Sequence, residues 1–454
     1  MRHMSIFRRS AAFVAAGALL ATACGSDDTT SPEPGPSESS LPSDDGAMPS
    51  GDRLASDFGV TSDPCPDAVN AANGCIYLGV LSDITEGPFA ALGVEIVAAQ
   101  ELFWARVNAD GGIGGFDINI TEYTRDNKYN TEEHVAQYRA IEPNILALAQ
   151  SLGTPTTLAA LSLMNQDNVI TAPASWWSGN AFEPRILESG ASYCLESMNG
   201  LDWASTIDNE FFDGEVTSVM AVHYPGDYGD DSANGVAAWA ESNGVDFPSD
   251  NNVPTGPNAA VGNQDGPVGA IISIKPDVVV LAVGPLEAGE IIGKAAASGY
   301  TGRFLGASPT WNPALMGNPD LAAVLPIIYR NIAPWSSFGA DTAAHDAMAA
   351  AVGDNLPSND GFTAGWVWSY PMKAALEQAA ADADLTRAGL VAAAAKMTVD
   401  YEGALPNRSG GDAPFRMNVI GQPNPDAPLG ISTITDFFAG PTATAYTYDA
   451  PCSG

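Results

Sequence analysis

From Ile76 onward the chain alternates short apolar runs with longer amphipathic segments, and this rhythm limits the fold more than any other feature. The apolar runs are IYLGVLS (76–82), FDINITEY (116–123), NILALAQ (144–150), NVITAPA (168–174), SVMAVHY (218–224), DVVVLAV (277–283) and RFLGAS (303–308). Each has the length of a strand, and their near-continuous apolar character marks strands covered on both faces. Helical periodicity predicts helices over 93–109, 131–141, 232–243, 286–298 and 363–382; in the first, Val94, Val97, Ala98, Leu102 and Ala105 form one apolar stripe. Further helices are predicted over 341–353 and 384–397, the latter capped by Asp384 or Thr386. Alternation of this kind predicts an α/β fold with parallel sheets between helices. Residues 180–216 and 247–267 break the rhythm and read as irregular, and the tail, 430–449, reads as β.

At 454 residues, with 45% hydrophobic and 16% charged residues, the chain suits one large or two medium folded domains. Its first 23 residues pair a basic start with an apolar run from Ala11 to Ala23, too short to span a bilayer, and read as an export signal. The sequence Ala21-Thr22-Ala23-Cys24 resembles the lipobox of bacterial lipoproteins, although Ala21 stands where leucine is usual. That resemblance implies a diacylglycerol on Cys24 and a membrane contact through this anchor alone. Residues 24–75 begin with a Ser/Pro/Asp/Gly-rich stretch and read as a flexible tether leading to a short loop before the first strand.

Formal charge is −36, and −39 once Arg2, Arg8 and Arg9 leave with the signal. A surface so acidic disfavours nucleic acid as a partner. Four cysteines follow Cys24, and an even set in an exported chain suggests two disulfides with three possible pairings. Closure of a short loop favours Cys65–Cys75, which leaves Cys194–Cys452.

Catalytic constellations are absent. His134, His223 and His345 are scattered without metal-ligand spacing, and no G-x-S-x-G, Walker or S-x-x-K motif occurs, so neither a metal nor a cofactor is expected. GGIGG (111–115) lies between a helix and a strand, the wrong order for a nucleotide loop, and reads as a turn. Asp227, Asp230 and Asp231 read as solvated charge at a turn and helix start rather than as a calcium site. A cradle for a small molecule, without a reaction, is the simplest reading.

Residues 76–130, together with SLGTPTTLAALSLMNQDNVITAPAS (151–175), HYPGDYGDDSANGV (223–236) and GFTAGWVWSYPMKAALEQAAADADLTRAGLVAAA (361–394), resemble type I periplasmic binding proteins of the Leu/Ile/Val-binding family. The resemblance implies two Rossmann-like lobes joined by three crossovers, with a ligand cleft between them. Lobe 1 would comprise 76–193 and 333–414, and lobe 2 would comprise 194–332 and 415–450. It also implies capture of a carboxylate-bearing small molecule, an amino acid first, and delivery to the permease of an ABC importer. Amides or aromatic acids, or presentation of a ligand-bound form to a signalling partner, are the alternatives.

By the same resemblance, Thr154 places a hydroxyl on the ligand carboxylate, and Pro173, Ala174 and Ser175 form the second clamp. Physical chemistry agrees with the first of these, since a helix start supplies free N–H groups and a favourable dipole for an anion without any lysine. Tyr228 reaches in from the second lobe, Leu92 walls the side-chain pocket with Phe89 nearby, and Trp366 adds an aromatic. Trp176, Trp177 and Trp311 lie near cleft loops. Ser308 stands where the family's amino-acid binders carry a glutamate for the ligand ammonium; Glu287, at a neighbouring strand end, is a candidate replacement but reads first as a helix-start charge.

Overall fold

The computed structural model describes residues 54–206 and 210–453; the expected export signal, Cys24 and residues 24–53 of the expected tether lie outside them. Two sheets organise the chain. The first contains β1 (Val60–Thr61), β2 (Gly74–Ser82), β3 (Phe116–Asp126), β4 (Ala147–Leu152) and β5 (Thr171–Ala174). Its order is β3-β2-β4-β5, all parallel, with β1 antiparallel against the start of β2. The second sheet has seven strands: β6 (Val219–His223), β7 (Asn252–Pro254), β8 (Val278–Ala282), β9 (Arg303–Gly306), β10 (Tyr329–Ala333), β11 (Val419–Pro423) and β12 (Ile431–Thr433). The order is β12-β11-β10-β9-β8-β6-β7, parallel except for the β10–β11 and β11–β12 pairs.

Every residue of β4, β6 and β8 is buried, as expected for parallel strands between helical layers. In the first half, α1 (Ala90–Ala109), α2 (Thr131–Ile141) and α3 (Thr154–Asp167) follow β2, β3 and β4. In the second, α4 (Tyr193–Ala204) precedes β6, while α5 (Asp227–Asn243) and α6 (Pro285–Ala297) follow β6 and β8. The chain then returns to the first sheet with α7 (Gly361–Ala381), which packs along α1. Gly365 permits that closeness, because a Cβ there would stand 2.1 Å from the Ile96 carbonyl oxygen. Aromatic edges complete the contact, Phe103 lying 5.4 Å from Trp366 and 5.0 Å from Tyr370.

The chain crosses between the sheets three times: after β5, after β10 and before β11. The first crossing is tied to the C-terminal tail. Cys194 pairs with Cys452, and Tyr448 Oη donates to the Ser178 carbonyl at 2.7 Å. Asp231 on α5 accepts from the Ser178 and Cys194 amides, both at 3.1 Å, and from the Ser178 hydroxyl. It is fully buried, so the expectation of a solvated charge is wrong there: three donors from the crossing replace water. The second disulfide, Cys65–Cys75, closes the loop before β2.

Two local expectations also need correction, and one strand was missed. The segment expected to be irregular, 180–216, contains α4, which is buried on nearly all sides and so has no polar stripe for periodicity to detect. TATAYTY is not β: Pro441–Ala445 is a short helix entered through a proline in its first turn. The strand β10, YRNIA, was hidden by its polar residues, of which Arg330 and Asn331 are buried.

Candidate ligand-binding site

The segment SLGTPTTL forms the β4–α3 junction. Gly153 takes φ of 97° between the two elements, a conformation that favours glycine, and α3 begins at Thr154. The amides of Thr154 and Thr156 belong to the first turn and have no intrahelical acceptor, while Pro155 has no N–H to leave unsatisfied. Thr154 Oγ1 lies 2.6 Å from Ser175 Oγ, which accepts from the Trp177 amide at 3.2 Å.

A buried polar network fixes this junction from behind. Asn127 Nδ2 is 3.0 Å from both the Leu152 carbonyl oxygen and His134 Nδ1, and His134 Nε2 is 3.2 Å from Ser151 Oγ. Ser151 Oγ lies 2.7 Å from Thr157 Oγ1. Burial lowers the His134 pKa to about 4, so the ring is neutral. Since Asn127 donates to Nδ1, the proton sits on Nε2 and points to Ser151.

In front of the junction, between the carboxyl ends of both sheets, is a cavity lined by residues of both halves. The first half supplies Phe89, Leu92, Tyr129, Thr154, Ala174 and Trp176, and α7 adds Ala364 and Trp368. The second half supplies Tyr193, Tyr228, Ser308, Trp311 and Asn331. Rings dominate the wall. Phe89 lies 5.0 Å from Tyr129, Tyr193 4.7 Å from Tyr228, and Trp176 4.7 Å from Trp368. Asp360 is the one charged residue among those lining the cavity, and no lysine, arginine or histidine borders it.

Of the residues expected at the site, Thr154, Ala174, Tyr228, Ser308 and Leu92 border the cavity. Pro173 and Ser175 lie one layer back, buried, and Ser175 meets the wall through Thr154. Trp366 is misplaced by the sequence reading: it is fully buried against Phe103 and hydrogen-bonds Tyr370 at 3.1 Å. Two residues turn a helix by about 200°, so on α7 it is Trp368, with Gly361 and Ala364, that faces the cavity. Small residues three apart, followed by an indole four further on, were the overlooked signal. Trp176 and Trp311 are in the wall, whereas the Trp177 indole is turned to Ser453, 3.2 Å from its carbonyl. Tyr129 was also missed. It and Lys128 both take positive φ, an uncommon arrangement that sets the Tyr129 ring against Phe89.

Glu287 does not reach the cavity; it accepts from Tyr224 Oη at 2.7 Å and from the Asn258 amide at 2.8 Å. Beneath Ser308, the buried Glu196 accepts from the Ser308 amide and hydroxyl. Burial raises its pKa to about 8. A carboxyl held neutral in this way offers no ion pair to a ligand. Asp360, in contrast, borders the cavity itself, and desolvation moves its pKa only to about 6.

A profile of the family described as "Periplasmic binding protein" matches residues 76–419. The chain belongs to this family. It is a type I periplasmic binding protein. The solved structure of a fatty acid ABC transporter substrate-binding protein from Thermomonospora curvata is similar, with 25% identity and a TM-score of 0.77. The match covers 88% of this chain and 98% of that one. A branched-chain amino acid ABC transporter protein from Thermus thermophilus, with bound valine, shares the fold at 17% identity and a TM-score of 0.67, covering 82% of this chain and 98% of its own. No curated protein matches the chain. Among the described residues of this periplasmic binding protein, no helix is long and apolar enough to cross a membrane.

Proposed function

We propose that this periplasmic binding protein captures a small carboxylate with an apolar body and hands it to an ABC permease. The observation that carries this reading is the pairing of Thr154 and Ser175 at the open start of α3, on the wall of a cavity otherwise lined by rings. Free first-turn amides and the helix dipole favour an anion there, and the aromatic wall favours an apolar body. An amino acid is the first candidate ligand. The second is a fatty or aromatic acid, a reading favoured by the Thermomonospora relative and by the apolar wall.

Binding begins on the Thr154 side, and the second half then closes with Tyr228, so that contacts made only in the closed form bias a two-state hinge. Cys24 anchors the protein through a lipid, as its lipobox-like setting suggests. Calorimetry with L-leucine, L-phenylalanine and octanoate, each beside its primary amide, tests the ligand class. Amides that bind as tightly as the acids would remove the carboxylate reading. Labelling with radioactive palmitate, lost in Cys24→Ala, tests the anchor.

A further inference from the structure

Asp360 precedes α7 as its N-cap residue, yet its side chain caps no amide of that helix. It accepts instead from Thr363 Oγ1 at 2.6 Å, and the Phe338 amide and Trp335 indole also stabilise its charge. A carboxylate has about four acceptor sites, so these donors leave one open. An anion placed at the edge of an apolar cavity is costly unless a cation joins it.

Its surroundings suit a cation. Trp176, Trp335 and Trp368 all line the cavity with Asp360 and touch one another, at centroid distances of 4.9 Å, 4.7 Å and 5.5 Å. Indole faces attract ammonium and alkylammonium groups, most strongly where water is excluded. Ser308, at the position where the resemblance places an ammonium-binding carboxylate, is engaged with a buried glutamate instead.

We propose that Asp360 and the Trp176–Trp335–Trp368 cluster form the cation subsite of the cavity, so that the ligand is a zwitterion with an ammonium or quaternary ammonium group. This rests on the carboxylate reading above, with Thr154 at the anionic end. Selectivity for the cation is thereby moved from the second sheet, where Ser308 follows β9, to the start of α7 beside the first sheet.

The test compares zwitterions with uncharged-end isosteres on the purified full-length protein by calorimetry. L-Leucine is paired with 4-methylpentanoate, L-phenylalanine with 3-phenylpropanoate, and glycine betaine with 3,3-dimethylbutanoate. At least one zwitterion should bind ten-fold or more tightly than its isostere, and Asp360→Asn should reduce that ratio to near one. Thermal melting of the variant controls for folding. Isosteres that match their zwitterions, or a ratio untouched by Asp360→Asn, overturn the cation subsite and leave the carboxylate reading standing. 2-Phenylethylamine binding as well as L-phenylalanine, and weakened by Asp360→Asn, supports the subsite and removes the carboxylate reading. Failure of every ammonium-bearing probe to bind overturns the subsite.

Discussion

Thr154 Oγ1 and Ser175 Oγ lie 2.6 Å apart, joining the start of α3 to the residue that follows β5. One hydroxyl borders the cavity and the other is buried behind it, so the pair acts as one adjustable donor. Thr154→Val keeps the shape and removes the donor. It should weaken carboxylate binding by about ten-fold, the effect of roughly 1.4 kcal/mol from one lost hydrogen bond to a charged group. Calorimetry measures it, and an unchanged melting temperature shows that the loss is local.

Gly153 is held to glycine twice, by its positive φ and by Tyr129. A Cβ at Gly153 would stand 2.6 Å from the Tyr129 ring and 2.7 Å from Thr156 Oγ1. Gly153→Ala should therefore push the ring toward the ligand space and abolish measurable binding. Destabilisation should be modest, about 1–3 kcal/mol for the strained backbone. Paired titration and urea unfolding separate the two effects.

Tyr228 meets Tyr193 at 4.7 Å, and both face the cavity from the second half. Tyr228→Ala should weaken binding by ten-fold or more and reduce ligand-induced closure, while Tyr228→Phe retains the ring contact and most of the affinity. Small-angle scattering checks closure: a radius that still contracts fully on ligand addition to Tyr228→Ala would count against the hinge mechanism.

Buried acids make stability depend on pH in a direction opposite to that of a paired carboxylate. Burial raises Glu196 from 4.5 to about 8, and Asp231 from 3.8 to about 7. Between the unfolded and folded pKa values the native state holds more protons than the unfolded chain, so stability falls as pH rises from about 4 to 8. Each unit of such a shift is worth about 1.4 kcal/mol. The melting temperature should be higher at pH 5.5 than at pH 8. Glu196→Gln should raise it at pH 8 and flatten the profile, as calorimetric scans across that range will show.

The Cys194–Cys452 bridge closes a loop with a sequence separation of 258. Replacing both cysteines with serine should cost about 2–5 kcal/mol, read as a lower denaturation midpoint. Loss should be accompanied by earlier proteolysis of the tail that holds Ser178.

The seven apolar runs all became strands, and in all but the edge strand β3 burial on two faces leaves a nearly unbroken apolar signature. The same logic failed for α4 and β10. A helix buried on most sides loses its polar stripe, and a strand that carries Arg330 and Asn331 loses its apolar one. At the site, the residues at chain junctions were legible: Thr154 begins α3, Ser308 follows β9, and Tyr228 sits in the first turn of α5. Trp368, Trp335 and Asp360 were not, since their meeting depends on the return of the chain to the first sheet after β10. Choosing between Trp366 and Trp368 required the rotation of α7 against α1, which Gly365 and Phe103 determine.

That return has a kinetic consequence. Helix α1 is completed early in synthesis, but its partner α7 emerges only after five of the seven strands of the second sheet, β6 to β10, and the Arg106–Glu402 pair spans 296 residues. The first half therefore cannot finish folding while the chain is still being delivered, and its α1 face stays without its native cover throughout. Native contacts so distant in sequence slow folding and prolong exposure to aggregation. Refolding yield should therefore be sensitive to protein concentration well before the ligand cavity exists.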